Sequence, residues 1–302
     1  IDGLVIDNDR VAGVRLAGSA KPISARNGVA LATGGFSHDA ELRKKLFPPA
    51  AGYVSATCPA TTGDGLRLAT AVGAELATKV ADPAYWVPAS VFRREGGSRG
   101  VFPHTVTDRA KPGLIAVNAS GKRFVNEALS YHEFVRAMLR EANGATEARF
   151  HLLCDSRFLW TYGLGRIQPF TRRLRPYLQN GGLVTAPSID ELAIAIGIEP
   201  RALAATVKDF NASARDGLDP QFGRGSTVYQ RYLGDPSHLP NPCVAPMERE
   251  PFYALRIFPA ELGTAIGLKV DGAARVLRND GSVMADFCAC GNDRRSIMNG
   301  NY

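Results

Sequence analysis

Two glycine stretches stand out as places where backbone, not side chain, could meet a partner. Ala32-Thr33-Gly34-Gly35 closes the apolar run Val29 to Ala32, and Thr61-Thr62-Gly63-Asp64-Gly65 precedes a run of small apolar residues from Leu66 to Ala74. Adjacent glycines after a strand let the backbone approach something that a Cβ would block. That chemistry is ligand contact, not bond making. Two later stretches carry groups able to move a proton or orient a carbonyl. One is "GKRFVNEALSYHEF", with Tyr131; the other is "CACGNDRRSIMNGNY", with Gly291, Asn292 and Tyr302. Each has a plainer explanation as well. A double glycine is often only a turn, Gly-Asp-Gly is often only a cap, and Tyr131 could be an amphipathic residue at a helix start capped by Ser130.

The elements that must hold these groups are legible in outline. Leu4-Val5-Ile6 and Val11 to Val14 flank Asp7-Asn8-Asp9-Arg10, a hairpin pattern. Val29 to Ala32 is expected as a buried strand. Asp39 to Leu46 has helical spacing with an acidic start and ends at Pro48-Pro49. From Asp82 the texture changes, with Pro83, Tyr85, Trp86 and Pro88, so a domain boundary is placed there. Strands are expected at Leu114 to Val117 and Arg149 to Cys154, and helices at His132 to Glu141, Ile189 to Ile196 and Pro200 to Ala214. Gly217 to Pro246, rich in Gly, Pro and Asn, is expected as a loop over a surface. Strand texture returns at Phe252 to Phe258, Gly267 to Asp271 and Ala274 to Leu277. The fold class is α+β (α/β).

Composition excludes several functions. The 302 residues carry a net charge of +7 with dispersed arginines, and no basic block is interleaved with aromatics as on a nucleic-acid face. Such a surface favours anionic ligands. No run has the length of a transmembrane helix. Five cysteines at irregular spacing fit reduced thiols and a cytoplasmic setting, and Cys288-Ala289-Cys290 lacks the second pair that a metal site would need.

Taken together and in order, the four stretches resemble the FAD-dependent oxidoreductases of the fumarate reductase and 3-ketosteroid dehydrogenase superfamily. The resemblance runs from Ile1 to Tyr302 and is closest to the 3-ketosteroid Δ1-dehydrogenase branch. It implies FAD as cofactor, with Ala32, Thr33, Gly34, Gly35, Thr62, Gly63, Asp64, Gly291 and Asn292 beside it, the strand stopping so that bare backbone faces the dinucleotide. Residues 1–82 and 257–302 would then be parts of a Rossmann-like FAD-binding domain, and 83–256 an inserted substrate or cap domain. The implied reaction removes two hydrogens next to a ketone. Tyr131 would take the α proton and Tyr302 would hydrogen-bond the ketone oxygen, with Tyr85, Trp86 and Phe102 as pocket walls. The substrate would be an apolar ketone and the electron acceptor an external one such as a quinone, with a cytoplasmic location and peripheral membrane contact as a further expectation.

Two departures matter. No G-x-G-x-x-G fingerprint occurs, so the sequence resembles a fragment that starts after it, and FAD is expected to bind weakly to these residues alone. Fumarate reductases have an arginine where this chain has Tyr131 and a histidine where it has Gly263, which favours a neutral ketone over a small dianion. A fumarate-reductase-like ene-reductase and a truncated, non-catalytic binding protein are the alternatives. His104, His132 and His151 show no partner pattern and are expected on the surface or satisfied in the interior.

Overall fold

A two-residue turn sets the first strand pair. β1 (Gly3–Asp7) and β2 (Arg10–Arg15) are antiparallel, and Asn8 and Asp9 between them take φ of 46° and 64°, the backbone that a tight hairpin requires. In the computed structural model, which describes residues 1–180 and 182–301, β3 (Ile23–Ser24) adds to β2 and β4 (Val29–Leu31) follows. The Asp39 carboxylate caps α1 (Ala40–Leu46) by accepting from the Glu41 and Leu42 N–H groups. α2 (Asp64–Ala71) starts after Gly63, whose φ of 78° places it in the left-handed region. After β5 (Leu76–Ala77), β6 (Ala84–Arg93) and β7 (Arg99–Pro103) form a hairpin around Gly96 and Gly97. Then come β8 (Leu114–Val117), α3 (Tyr131–Ala142), β9 (Phe150–Asp155), α4 (Ser156–Tyr162), α5 (Arg175–Asn180) and β10 (Leu183–Ala186). α6 (Ile189–Ile196), α7 (Pro200–Ala214) and α8 (Val228–Leu233) precede β11 (Phe252–Thr264), β12 (Gly267–Leu268), β13 (Arg275–Leu277) and β14 (Val283–Ala289).

The chain forms two compact units. The first comprises Ile1–Phe47, Thr57–Tyr85 and Glu261–Tyr302; the second comprises Pro48–Ala56 and Trp86–Ala260. In the first, the sheet order is β1-β2-β14-β13, with β3 on β2 and β4 on β14, and β14 runs parallel to both β2 and β4. In the second, the order is β7-β6-β11-β9-β8, with β10 on β11. β8 and β9 are buried along their whole length. Leu192 and Ile196 of α6 and Leu203, Val207 and Phe210 of α7 cluster with Ile115, Val117 and Leu153 of these strands. The apolar face of α3 buries Phe134, Val135 and Met138.

Two expectations are corrected. β4 is not a buried strand: Leu31 is buried but Ala30 and Ala32 are exposed. The apolar run reflects small residues along a strand that pairs only with β14. Residues 217–246 are not a surface loop, because they carry α8 and the buried side chains of Asp219, Arg224, Cys243 and Val244. Irregular backbone there is bought into the interior by side-chain hydrogen bonds. The division between units falls at Tyr85/Trp86 and Ala260/Glu261, inside β6 and β11, and Pro48–Ala56 belongs with the second unit.

Histidines were expected to be satisfied or exposed, and His151 on β9 is neither. Its Nδ1 is buried without a hydrogen-bond partner, and its pKa is pushed down to about 4, first by burial and then by Arg256 and Arg149. Above the ordinary value of 6.5 the ring is neutral whether the chain is folded or unfolded. Between 6.5 and about 4 only the unfolded chain takes up the proton, so stability falls as pH falls, by up to about 3 kcal/mol. His151→Gln should remove this acid-side slope. Urea unfolding at neutral pH and at a pH between the two values checks it, and equal slopes in parent and variant would refute it.

Candidate functional site

In the first unit the glycine stretches converge on one carboxylate. Asp293, fully buried at the end of a 3-10 turn over Gly291–Asp293, accepts from the backbone N–H of Thr33, of Gly34 at 3.3 Å and of Gly35 at 3.2 Å, and from the Thr33 hydroxyl at 2.9 Å. Consecutive amides of this kind make an anion cradle, and here the anion is internal. The amides of this turn are thus bonded to Asp293. The glycines are explained by close approach. Gly34 and Gly35 have φ of 98° and 82°; a Cβ on Gly34 would lie 2.8 Å from Thr61 Cγ2, and one on Gly35 would collide with the Thr264 hydroxyl.

The second stretch locks onto the first. The Gly63 N–H donates to the Gly35 carbonyl at 3.0 Å, and a Cβ on Gly65 would strike the Thr33 hydroxyl. Asp64 is exposed at the start of α2, where it pairs with Arg67 and accepts from the Thr62 hydroxyl at 3.0 Å. That hydroxyl first, then Arg67, holds its carboxyl below the usual range. Asn292 accepts from the Thr264 hydroxyl through its carbonyl, and its side chain lies where a Cβ on Gly263 would be. Arg43 and Glu261 form a buried ion pair in the same unit, with Arg43 also donating to the Ser37 carbonyl at 2.8 Å.

The surface at this end of the sheet is paved with small groups. β4 and β14 run parallel with Ala30 opposite Cys288, and Ala30, Ala32, Thr33, Cys290 and Gly291 are exposed. A flat cofactor meets no bulky side chain on such a surface. The residues therefore fit an extended ligand along the strand ends, through side-chain-poor surface and not through the amides of Thr33 to Gly35.

In the second unit, the stretch leading to Tyr131 is pinned by buried charges that sequence reasoning missed. Arg123 bridges two acids: its guanidinium donates to both Glu127 oxygens, at 3.0 and 2.7 Å, and to both Asp219 oxygens, at 2.7 and 2.9 Å. Burial pulls its pKa down, but Glu127 and Asp219 outweigh burial and raise it. Arg224 donates to Glu127 at 3.2 Å and to the carbonyls of Leu114, Arg109 and Lys111. Arg109 in turn donates to the carbonyls of Glu127 and Leu129, and burial pushes it down to about 10. Ser130 then caps α3 by accepting from the Glu133 N–H, which makes Tyr131, half-buried, the first residue of the helix. Tyr302, the other candidate, lies outside the described residues.

The remaining expected groups scatter. Trp86 is fully buried, and the His132 ring accepts from its N–H. The Tyr85 hydroxyl donates to Ser296 in the first unit. His104 is buried between Ser90, at 2.9 Å, and Asp108, at 2.6 Å. Burial raises the Asp108 carboxyl, but the His104 charge and hydrogen bond, with Arg109 and the Gly165 N–H, bring it down to about 2. Phe102 lines a cavity of about 480 Å³ with Asp108, Lys111, Tyr162, Leu164 and Ile167. Among the described residues Tyr131 is not part of that lining.

A family model described as an FAD binding domain matches residues 1–302. The chain is 38% identical over 282 residues to 4-oxocyclohex-2-ene-1-carboxylate 5-dehydrogenase of Sinomonas cyclohexanicum, covering 93% of this chain and 48% of that protein. It is 36% identical over 312 residues to 3-oxosteroid 1-dehydrogenase of Mycobacterium tuberculosis (strain H37Rv), covering 99% and 54%. Among solved structures it matches 3-ketosteroid delta1-dehydrogenase of Sterolibacterium denitrificans in complex with 1,4-androstadiene-3,17-dione, with a TM-score of 0.89 and 32% identity, covering 100% of this chain and 54% of that one. The chain spans about half the length of the curated relatives it matches.

Asp293→Ala should leave three amides of the Thr33–Gly35 turn unpaired and lower stability by about 3 kcal/mol, with Asp293→Asn costing less. Thermal melts check this, and a parental midpoint for the alanine variant would remove Asp293 as the organiser of the turn.

Proposed function

Because the chain belongs to the FAD binding domain family, with FAD as its cofactor, we propose that it acts as a dehydrogenase that introduces a C=C bond next to the carbonyl of a cyclic ketone, with 3-ketosteroids or rings of similar polarity as substrates. In this reading the first unit lies against FAD through Ala32, Thr33, Gly34, Gly35, Thr62, Gly63, Asp64, Gly291 and Asn292, and the second unit handles substrate. FAD, when bound, accepts the hydride that leaves the β carbon. Tyr131 takes the proton from the α carbon onto its phenolic oxygen, and Tyr302 donates a hydrogen bond to the ketone oxygen as charge builds there. Electrons leave to an external acceptor such as a quinone. The setting is cytoplasmic with contact to a membrane surface, where apolar ketones and quinones partition.

The observation that carries this reading is Tyr131 as the first residue of α3. A free phenol loses its proton near pH 10, too high for a base at neutral pH. Ser130 caps the first turn of this 12-residue helix, and a helix N-terminus carries partial positive charge that favours an anion beside it. The buried arginines and acids before it fix the segment on which the ring stands, so the ring is held by structure independent of substrate. The identities of the relatives support the reaction class: both curated ones are named as dehydrogenases of oxo-substituted rings.

Tyr131→Phe in the FAD-loaded full-length protein should lower turnover by about two to four decades, with ketone binding and the flavin spectrum kept. Tyr302→Phe should weaken both binding and rate. Steady-state kinetics on 3-keto substrates with an artificial acceptor measures both. Parental turnover in Tyr131→Phe would discard the α-proton role.

A further inference from the structure

From Ser156 to Ile189 the sequence holds five arginines, Arg157, Arg166, Arg172, Arg173 and Arg175, and no aspartate or glutamate. Arg172, Arg173 and Arg175 are exposed. The same stretch exposes two aromatic rings, Trp160 at 45% and Phe170 at 63%, packed edge to face with centroids 5.5 Å apart. Phe170 has φ of 61°, a conformation that costs energy for a bulky side chain. Its N–H bonds to the Trp160 carbonyl at 2.8 Å, which keeps the strained backbone in place and the ring outward.

A second apolar tip lies in the same unit. Val228, Tyr232 and Leu239 are 86%, 83% and 77% exposed. Three cavities connect the tips. The one of about 480 Å³ shares Thr161 and Tyr162 with one of about 210 Å³, which shares His238 with one of about 390 Å³ lined by Val228, Tyr232 and Leu239. The acids at this groove are occupied: Asp108, which lines the first cavity, pairs with His104 at 2.6 Å and accepts from the Gly165 N–H at 3.0 Å, and Asp235 accepts from the Tyr162 hydroxyl at 2.7 Å and from Ser237.

We propose that this face of the second unit docks reversibly on an anionic bilayer surface, with Trp160, Phe170, Val228, Tyr232 and Leu239 among the headgroups and Arg172, Arg173 and Arg175 over the lipid phosphates. Separated apolar and aromatic tips set among unopposed cations match the layered polarity of that interface, where aromatic rings settle and basic side chains find phosphate. A protein partner would favour a contiguous apolar patch; a nucleic acid would leave Val228 and Leu239 without a counterpart. The inference rests on the membrane contact proposed above, and vesicle binding is read without turnover, so it and the dehydrogenase reading can fail separately.

The test is flotation of the full-length protein with phosphatidylcholine vesicles, with and without phosphatidylglycerol. Co-flotation with the anionic vesicles, weakening as salt rises, is expected. Arg172→Glu, Arg173→Glu and Arg175→Glu together should lower partition about a hundredfold or more, and Phe170→Ser about tenfold, with melting and flavin content unchanged. Brominated lipid should quench tryptophan fluorescence, and Trp160→Phe should abolish that component because Trp86 is buried. Absence from the vesicle fraction, parental partition in the charge-reversed variant, or quenching that Trp160→Phe leaves undiminished would each overturn the proposal. A dimer on gel filtration that Phe170→Ser dissolves, without vesicle binding, would overturn it in favour of a second copy of the chain.

Discussion

The carboxylate of Asp293 is the constraint from which the first unit is organised. It joins residues 260 apart in sequence by filling the cradle of Thr33, Gly34 and Gly35 amides. A buried anion needs donors on every side, and here they are backbone amides and one hydroxyl, groups that cannot swing away. Everything around it must come close, so Gly34, Gly35, Gly63 and Gly65 lack a Cβ at positions where neighbours leave no room. The glycine pattern is therefore a packing requirement first. Its consequence for binding is indirect: the turn is rigid, and small side chains are left on the outside of the strand ends.

The second unit solves a different problem with the same economy of partners. Arg123, Glu127, Asp219 and Arg224 are all buried. Taking four charges out of water is costly, and such a cluster persists only when nearly every donor and acceptor is matched. Two acids face two arginines, and the spare guanidinium donors reach the carbonyls of Leu114, Arg109 and Lys111. A cluster so tightly matched has one arrangement. The segment from Arg123 to Ser130 inherits it, and Tyr131 begins a helix whose first turn is fixed before any ligand arrives.

What could be read from sequence followed from local rules. Asp39, Ser130 and Ser188 each cap a helix where an Asp or Ser precedes a periodic run, and the Asn8-Asp9 turn closes its hairpin. What could not be read depends on partners far along the chain. Nothing local in Gly291-Asn292-Asp293 says that its acid completes a turn at Thr33. Likewise Asp219 and Arg224 sit in a Gly- and Pro-rich stretch, and composition reports irregular backbone there without reporting depth. The exposed Ala30 and Ala32 mislead in the opposite sense. Small apolar residues spell a buried strand in sequence, yet a strand with a single neighbour leaves them open.

Charge pairing also bears on what the arginines of the second unit are free to do. The two curated relatives differ in that one is named for a ring bearing a carboxylate and the other for a 3-oxosteroid. A carboxylate substrate calls for a cation with donors to spare. Arg109, Arg123 and Arg224 are the buried arginines bonded around the Arg123 to Ser130 segment, and their donors are already spent. Arg109 spends its donors on the carbonyls of His104, Thr105, Glu127 and Leu129, and Arg123 is saturated by two acids. Arg224 keeps only its buried Nε without a partner. Freeing Arg123 or Arg224 would strand a buried acid, at a cost of about 3–5 kcal/mol, and freeing Arg109 would strand four carbonyls. The three guanidiniums are thus committed to holding the fold of the second unit.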